Sequence, residues 1–149
     1  MDQFETVSCR KNRLVVRKED GKETLDLSRG CKTHRVLIIE DDRAFFDALA
    51  ARLVRASVEP LWAKDGVEAL DALREAEFDA VLVDLGLPRM NGYHVLEALR
   101  AEWPELPAFV MTGNLDPELH VKLRNWGATA FFYKPFRVEE LLDLLDELA

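Results

Sequence analysis

The sequence has little of what would tie a chain to a secretory route, a membrane or a nucleic acid. Only two of its 149 residues are cysteine. Cys9 and Cys31 are too few for a disulfide scaffold, and they point to a reducing, cytoplasmic setting. We read both as free thiols. Apolar runs stay far below the roughly 18–20 residues that a bilayer span needs. The first residues, MDQFETVSCRKNR, place acids before any basic residue and contain no apolar stretch, so no signal peptide is expected. Internal repeats and low-complexity segments are lacking. The three histidines, His34, His94 and His120, have no metal-ligand spacing, and none has support as a phosphohistidine. Basic residues are outnumbered by acids as well. The net charge is −8, with nine Lys/Arg against six Asp/Glu in residues 1–35 and eleven against 22 in the remainder. So acidic a body argues against direct contact with nucleic acid.

What is present is an ordinary globular composition, 48% hydrophobic and 32% charged, at a length suited to one domain with its own core. From Arg35 onward, short apolar runs alternate with helical patterns. RVLII, EPLWA, AVLVD, AFVMT and AFFY read as five strands. RAFFDALAARLVRA has Phe45, Leu49 and Leu53 at helical spacing, and GVEALDALREA has Val67, Leu70 and Leu73 on one face. GYHVLEALRAE, PELHVKLRNW and RVEELLDLLDEL complete five helices. Pro117 suits a first helical turn and Gly127 a helix C-cap. Such alternation implies a parallel sheet with helices on both faces.

Residues 1–34 depart from that pattern and form a separate N-terminal extension, with 35–149 as the main domain. RLVVRKEDGKETLDLS reads as a β-hairpin turning at Asp20-Gly21. Glu19 then faces Lys22, Lys18 faces Glu23, Val16 faces Leu25 and Leu14 faces Leu27. Cys9 and Cys31 lie nearly opposite across it. A lone hairpin is marginal in water, so its apolar face is expected to cover the main domain, a second copy or a partner.

In an open parallel sheet, functional groups gather beyond the carboxyl ends of the strands. Here the first strand ends in Glu40-Asp41-Asp42, the third in Asp84, the fourth in Thr112 and the fifth in Lys134-Pro135. Singly, each has a plain structural use. Asp42, directly before the first helix, is read as its N-cap. Together they suggest phosphoryl chemistry. Glu40, Asp41 and Asp84 are a hard oxygen set suited to Mg2+. Lys134 can balance phosphoryl charge as a point cation, and the Thr112 hydroxyl can donate to a phosphoryl oxygen. A carboxylate can itself be the nucleophile, giving an aspartyl phosphate.

The motifs VLIIEDD, VLVDLGLPRMNGYHVLEALR, VMTG and FFYKPF stand in one order and spacing, and through them the chain resembles the receiver domain of bacterial two-component response regulators, from Arg35 to Ala149. The resemblance implies a flavodoxin-like (βα)5 fold with strand order 2-1-3-4-5. It implies Asp84 as phosphoacceptor, and a metal site of Glu40, Asp41, Asp84 and the Gly86 carbonyl. It further implies Thr112 as switch hydroxyl, Lys134 as phosphoryl-stabilising lysine, Pro135 as a cis-proline and Phe131 as switch aromatic. Gly86 and Asn114 would influence the lifetime of the phosphate. The chain departs from the family in carrying Phe131 where tyrosine is frequent, Gly113 where alanine is common, and Trp126 where a small residue is usual. The hairpin is not part of the common core.

The expectation is therefore a single-domain signalling phosphoacceptor and not an enzyme, beyond catalysing its own phosphoryl transfer and dephosphorylation. A sensor histidine kinase or phosphotransfer protein would supply the phosphoryl group with Mg2+ present. Output would run through a downstream protein or a homodimer, in the cytoplasm, without direct nucleic-acid or membrane contact. The alternative is a phosphorylation-independent receiver-fold scaffold or dimerisation module acting through the hairpin. A haloacid-dehalogenase-type phosphatase is excluded, because Asp41 is followed two residues later by Arg43. A flavin site is excluded, because Glu40-Asp41-Asp42 would repel a phosphate.

Overall fold

The computed structural model describes residues 34–85, 92–113 and 117–148, and the backbone of residues 3–9, 12–19 and 22–26. The N-terminal segment has strands β1 (Gln3–Cys9), β2 (Asn12–Glu19) and β3 (Lys22–Asp26), paired antiparallel in that order. In the β2–β3 ladder Val16 is opposite Leu25, Lys18 opposite Glu23 and Glu19 opposite Lys22. The ladder has three strands where the sequence suggests two. The Asp20-Gly21 turn, Leu27 and Cys31 lie outside the described residues.

The main domain alternates β4 (His34–Ile39), α1 (Arg43–Arg55), β5 (Val58–Ala63), α2 (Gly66–Glu75), β6 (Ala80–Asp84), α3 (Gly92–Glu102), β7 (Ala108–Thr112), α4 (Pro117–Asn125), β8 (Ala130–Tyr133) and α5 (Val138–Glu147). All five strands are parallel, in the order β5-β4-β6-β7-β8. This is the flavodoxin-like 2-1-3-4-5 arrangement. The central strands β4, β6 and β7 are apolar along both faces because helices cover both. On one side Val36, Ile38, Leu82 and Phe109 pack against Leu53 of α1 and Leu141 and Leu145 of α5. On the other, Leu37, Ile39, Val81, Val83 and Val110 pack against Leu73 of α2, Leu96 and Leu99 of α3, and Leu123 of α4. Pro60 sits on β5, an edge strand, where its missing N–H breaks no central ladder.

Two helices keep part of the face read from the sequence, at Leu49, Leu53 and Leu73, and differ at other positions. In α1 Phe46 is buried with Leu49 and Leu53, and Phe45 is only half-buried. In α2 the buried positions are Gly66, Ala69 and Leu73, and Val67 is 44% exposed. Small residues can sit closer to a sheet than a branched side chain, so in α2 glycine and alanine face it.

Helix ends fix where the strand mouths open. Asp42 caps α1, its side chain accepting from the Phe45 N–H at 3.2 Å. Buried Asp65 caps α2 through the Glu68 N–H at 2.9 Å. Gly92 begins α3 against the end of β6, where a Cβ would lie 2.7 Å from the Leu85 Cα. Past α4, Gly127 has φ +93°. Its N–H donates to the Arg124 carbonyl at 3.0 Å, and that of Ala128 to the Leu123 carbonyl at 2.9 Å, the pairing of a Schellman cap. Trp126 meets Tyr93 edge-on at 4.7 Å.

Candidate functional site

The carboxyl ends of the strands are tied together by backbone bonds that run past their ladders. The Glu40 N–H donates to the Ala63 carbonyl at 3.0 Å, Leu85 to Met111 at 3.2 Å and Lys134 to Thr112 at 2.9 Å. Side chains that follow each strand are thereby held at one edge. One carboxylate oxygen from each of Glu40, Asp41 and Asp84 lies within 4.8 Å of the others. The three differ in burial. Glu40 is 1% exposed, the Asp84 side chain 13%, and Asp41 is open to solvent.

Lys134 joins this group from β8. Its Nζ donates to Glu40 Oε2 at 2.7 Å and to Asp84 Oδ2 at 3.0 Å. The other Glu40 oxygen accepts from the Asp42 N–H at 3.1 Å. Burial pushes the Glu40 carboxyl up from 4.5 to about 7, against the lowering effect of the bonds from Lys134 and Asp42, while Asp84 adds to the rise. For Lys134, burial works to lower the ammonium's pKa, but the bonds to Glu40 and Asp84 outweigh it and hold it above 10.5. Three carboxylates beside one cation leave an excess of negative charge on hard oxygen donors, which suits a small divalent ion such as Mg2+.

The remaining sequence-identified residues lie around this centre. Thr112 is buried at the end of β7, 5% exposed. The Lys134–Pro135 peptide is cis. Phe131 points its contacts toward α4, with the His120 ring stacked on it at 5.1 Å and 12° and the Arg124 guanidinium 5.9 Å from its centroid. Gly86 and Asn114 fall outside the described residues.

Four side chains at or near the site carried no functional reading in the sequence. The Phe45 ring lies 4.5 Å from Lys134 Nζ. The Trp62 indole N–H donates to the Glu40 backbone carbonyl at 2.8 Å, with the Arg43 guanidinium 4.5 Å above the same ring. His120 Nε2 and the Tyr133 hydroxyl are 2.7 Å apart. Strand alternation puts Tyr133 on the same face as Phe131, so this hydroxyl lies two residues from where the family usually has one. That alternation was the available signal for Tyr133, and the pairing of β5 with β4 was the one for Trp62. Nothing local marked Phe45 or His120.

Comparison with known proteins agrees with the fold. Residues 36–146 match the family model described as the response regulator receiver domain. The chain is 37% identical over 108 residues to Response regulator MprA of Mycobacterium sp. (strain KMS), a match covering 72% of this chain and 47% of that protein. It thus spans about half the length of that relative. Among solved structures it is similar to chemotaxis response regulator CheY4 of Vibrio cholerae, with TM-score 0.73 and 29% identity, covering 79% of this chain and all of that one. It is also similar to the beryllofluoride-activated NtrC4 receiver domain dimer, with TM-score 0.72 and 28% identity, covering 76% and 94%. On its sequence match and its fold alike, this chain belongs to the response regulator receiver domain family.

Proposed function

We propose that residues 35–149 act as a phosphoacceptor, with Asp84 taking a phosphoryl group from the phosphohistidine of a sensor histidine kinase or phosphotransfer protein. The observation that carries this reading is the bridge of Lys134 between Glu40 and Asp84, inside a set of three carboxylates at the carboxyl edge of the sheet. Glu40, Asp41 and Asp84, completed by the Gly86 carbonyl, would hold Mg2+, which when bound neutralises charge on the incoming phosphoryl oxygens.

Transfer asks the protein for position and charge more than for covalent chemistry. An Asp84 carboxylate oxygen attacks phosphorus and forms the P–O bond. The P–N bond to the donor imidazole breaks, and its electron pair leaves with the ring. Lys134, already 3.0 Å from Asp84, keeps a cation beside the new phosphoryl group. Thr112 donates its hydroxyl to a phosphoryl oxygen, and Phe131 responds, changing the surface of α4, β8 and α5. Output is a protein contact, either to a downstream target or to a second copy; the NtrC4 receiver domain is described as an activated dimer. The excess of acids from residue 36 onward disfavours nucleic acid as the direct partner of this part of the chain. Among the described residues no helix is long and apolar enough to cross a membrane. Residues 1–34 form an extension outside this chemistry.

Incubation with a small phosphodonor and Mg2+ tests the proposal by intact mass. One added phosphoryl group is expected in the parent protein and none in Asp84→Asn. Absence of the adduct from the parent, or its persistence in the variant, overturns the assignment.

A further inference from the structure

Lys134 Nζ has three hydrogens to place. Two directions are taken by Glu40 Oε2 and Asp84 Oδ2, at 2.7 and 3.0 Å. Against the same ammonium, 4.5 Å away, lies the ring of Phe45. An aromatic ring attracts a cation through its quadrupole and displaces water that would otherwise solvate it.

The ring is held from several sides. Its own backbone N–H is taken by the Asp42 side chain at 3.2 Å, and the Asp42 N–H in turn donates to Glu40 Oε1 at 3.1 Å. The helix cap and the acidic site are therefore one connected unit. On the ring's other flank stands Phe136, at 6.3 Å and 60°, which stacks on Phe132 of β8 at 5.0 Å. Phe136 is two residues after Lys134, so the ring is braced against the segment that carries the lysine.

We infer that Phe45 is a positioning residue for Lys134: its ring covers one side of the ammonium, excludes water there, and so keeps the N–H bonds aimed at Glu40 and Asp84, where the phosphoryl group arrives. This rests on the phosphoacceptor reading of Asp84 for its consequence, but not for the contact itself. The lysine of this site would otherwise be a flexible four-carbon arm with a strongly hydrated head. The two carboxylates bond the ammonium on one side and leave the rest of it to water, whereas the ring covers part of that remaining side.

Phe45 is half-buried and borders a cavity of about 170 Å3 that Leu49, Arg52 and Phe136 also line. A smaller side chain there does not open the closed core, which in α1 rests on Phe46, Leu49 and Leu53. Phe45→Leu removes the ring and keeps an apolar side chain; Phe45→Tyr keeps the ring. At saturating Mg2+ and small phosphodonor, we expect Phe45→Leu to slow phosphorylation about 3- to 10-fold and Phe45→Tyr to stay within about 2-fold of the parent, the range a partly desolvated cation–π contact supports. The melting temperature of Phe45→Leu in urea-free buffer checks that the loss is not unfolding. A second measurement needs no phosphodonor: the Lys134 ammonium should give a slowly exchanging 15N-correlated proton signal in the parent and in Phe45→Tyr, lost in Phe45→Leu. An unchanged rate in Phe45→Leu, a protected ammonium in that variant, or failure of Phe45→Tyr to restore both would overturn the inference. If instead the parent gains no phosphoryl group, the phosphoacceptor reading fails, and the ammonium signal alone decides whether Phe45 positions Lys134.

Discussion

In metal-free buffer, raising the pH from about 5 to about 8 should cost this protein stability that its Glu40→Gln variant does not lose. Glu40 is buried, and its folded-state pKa of about 7 lies above the ordinary 4.5. The folded protein therefore holds this proton more tightly than the unfolded chain. The resulting stabilisation is fully present below about pH 4.5 and is lost as the pH rises to and through about 7. At 1.36 kcal/mol per pKa unit, the change across that window is about 3 kcal/mol. In the parent Lys134 stays charged across the window, because the bonds to Glu40 and Asp84 hold its pKa above 10.5 against the lowering effect of burial. Urea denaturation of parent and variant with a chelator present, at matched pH steps, gives the difference; groups remote from Glu40 titrate in both and cancel, while Asp84 and Lys134, which interact with it, share in the difference. The parent's stability relative to the variant should fall across the window, and saturating Mg2+ should flatten the parent's slope, since a metal-bound carboxylate has no proton to keep. A constant difference, or a parent that gains on the variant as pH rises, would refute the assignment of this cost to Glu40.

Two further substitutions probe the surroundings of the site. Gly127→Ala should destabilise by about 1–3 kcal/mol, since the position has φ +93° and an added Cβ would collide with the Arg100 side chain; a denaturation midpoint shift near zero would contradict it. Trp62→Phe removes the donor to the Glu40 carbonyl and should cost about 1 kcal/mol. It should also weaken Mg2+ binding measured by titration calorimetry, and an unchanged affinity would show that this bond does not help set Glu40.

Much of the fold was legible because the parallel sheet leaves a strong mark. VLII, AVLV and AFVM are apolar along both faces, which a helix of the same composition would not need. Pro117 and Gly127 marked the ends of α4 through their backbone constraints, and Asp42 marked the start of α1. The phases of α1 and α2 were harder. Phe45 and Phe46 are both apolar, and only the sheet decides which of them turns inward; in α2 the sheet selected Ala69 over Val67. At the site, residue types and strand ends gave the carboxylates and the lysine. The contacts between them were out of reach, because Lys134 and Glu40 are 94 residues apart and Trp62 and Glu40 are 22 apart. No local pattern encodes such a meeting. His120 illustrates the same limit. Judged by its spacing to other histidines it had no use, yet it lies flat on Phe131 and bonds Tyr133.

The physical tension in this molecule is concentrated at the mouth of β4. A glutamate almost sealed from solvent is an expensive residue to place at the end of a core strand. Lys134 offsets part of the cost, the Asp42 N–H a little more, and partial protonation near neutral pH absorbs some of the rest. Apolar residues of similar volume in place of both Glu40 and Lys134 would serve stability about as well, because replacing a whole buried ionic pair in that way is often neutral or better. The same set of acids is what a divalent cation and a transferred phosphoryl group require, and they require it unneutralised. Local choices that conflict with stability are expected at functional sites, where the conflict is compensated elsewhere in the fold. In this chain the compensation is close by and can be named: a lysine, a helix cap and an aromatic ring, each bonded to or packed against another member of the same small group. A stability gain on removing the Glu40 charge, at a pH where that charge is present, is thus the direct signature of a site kept for its chemistry.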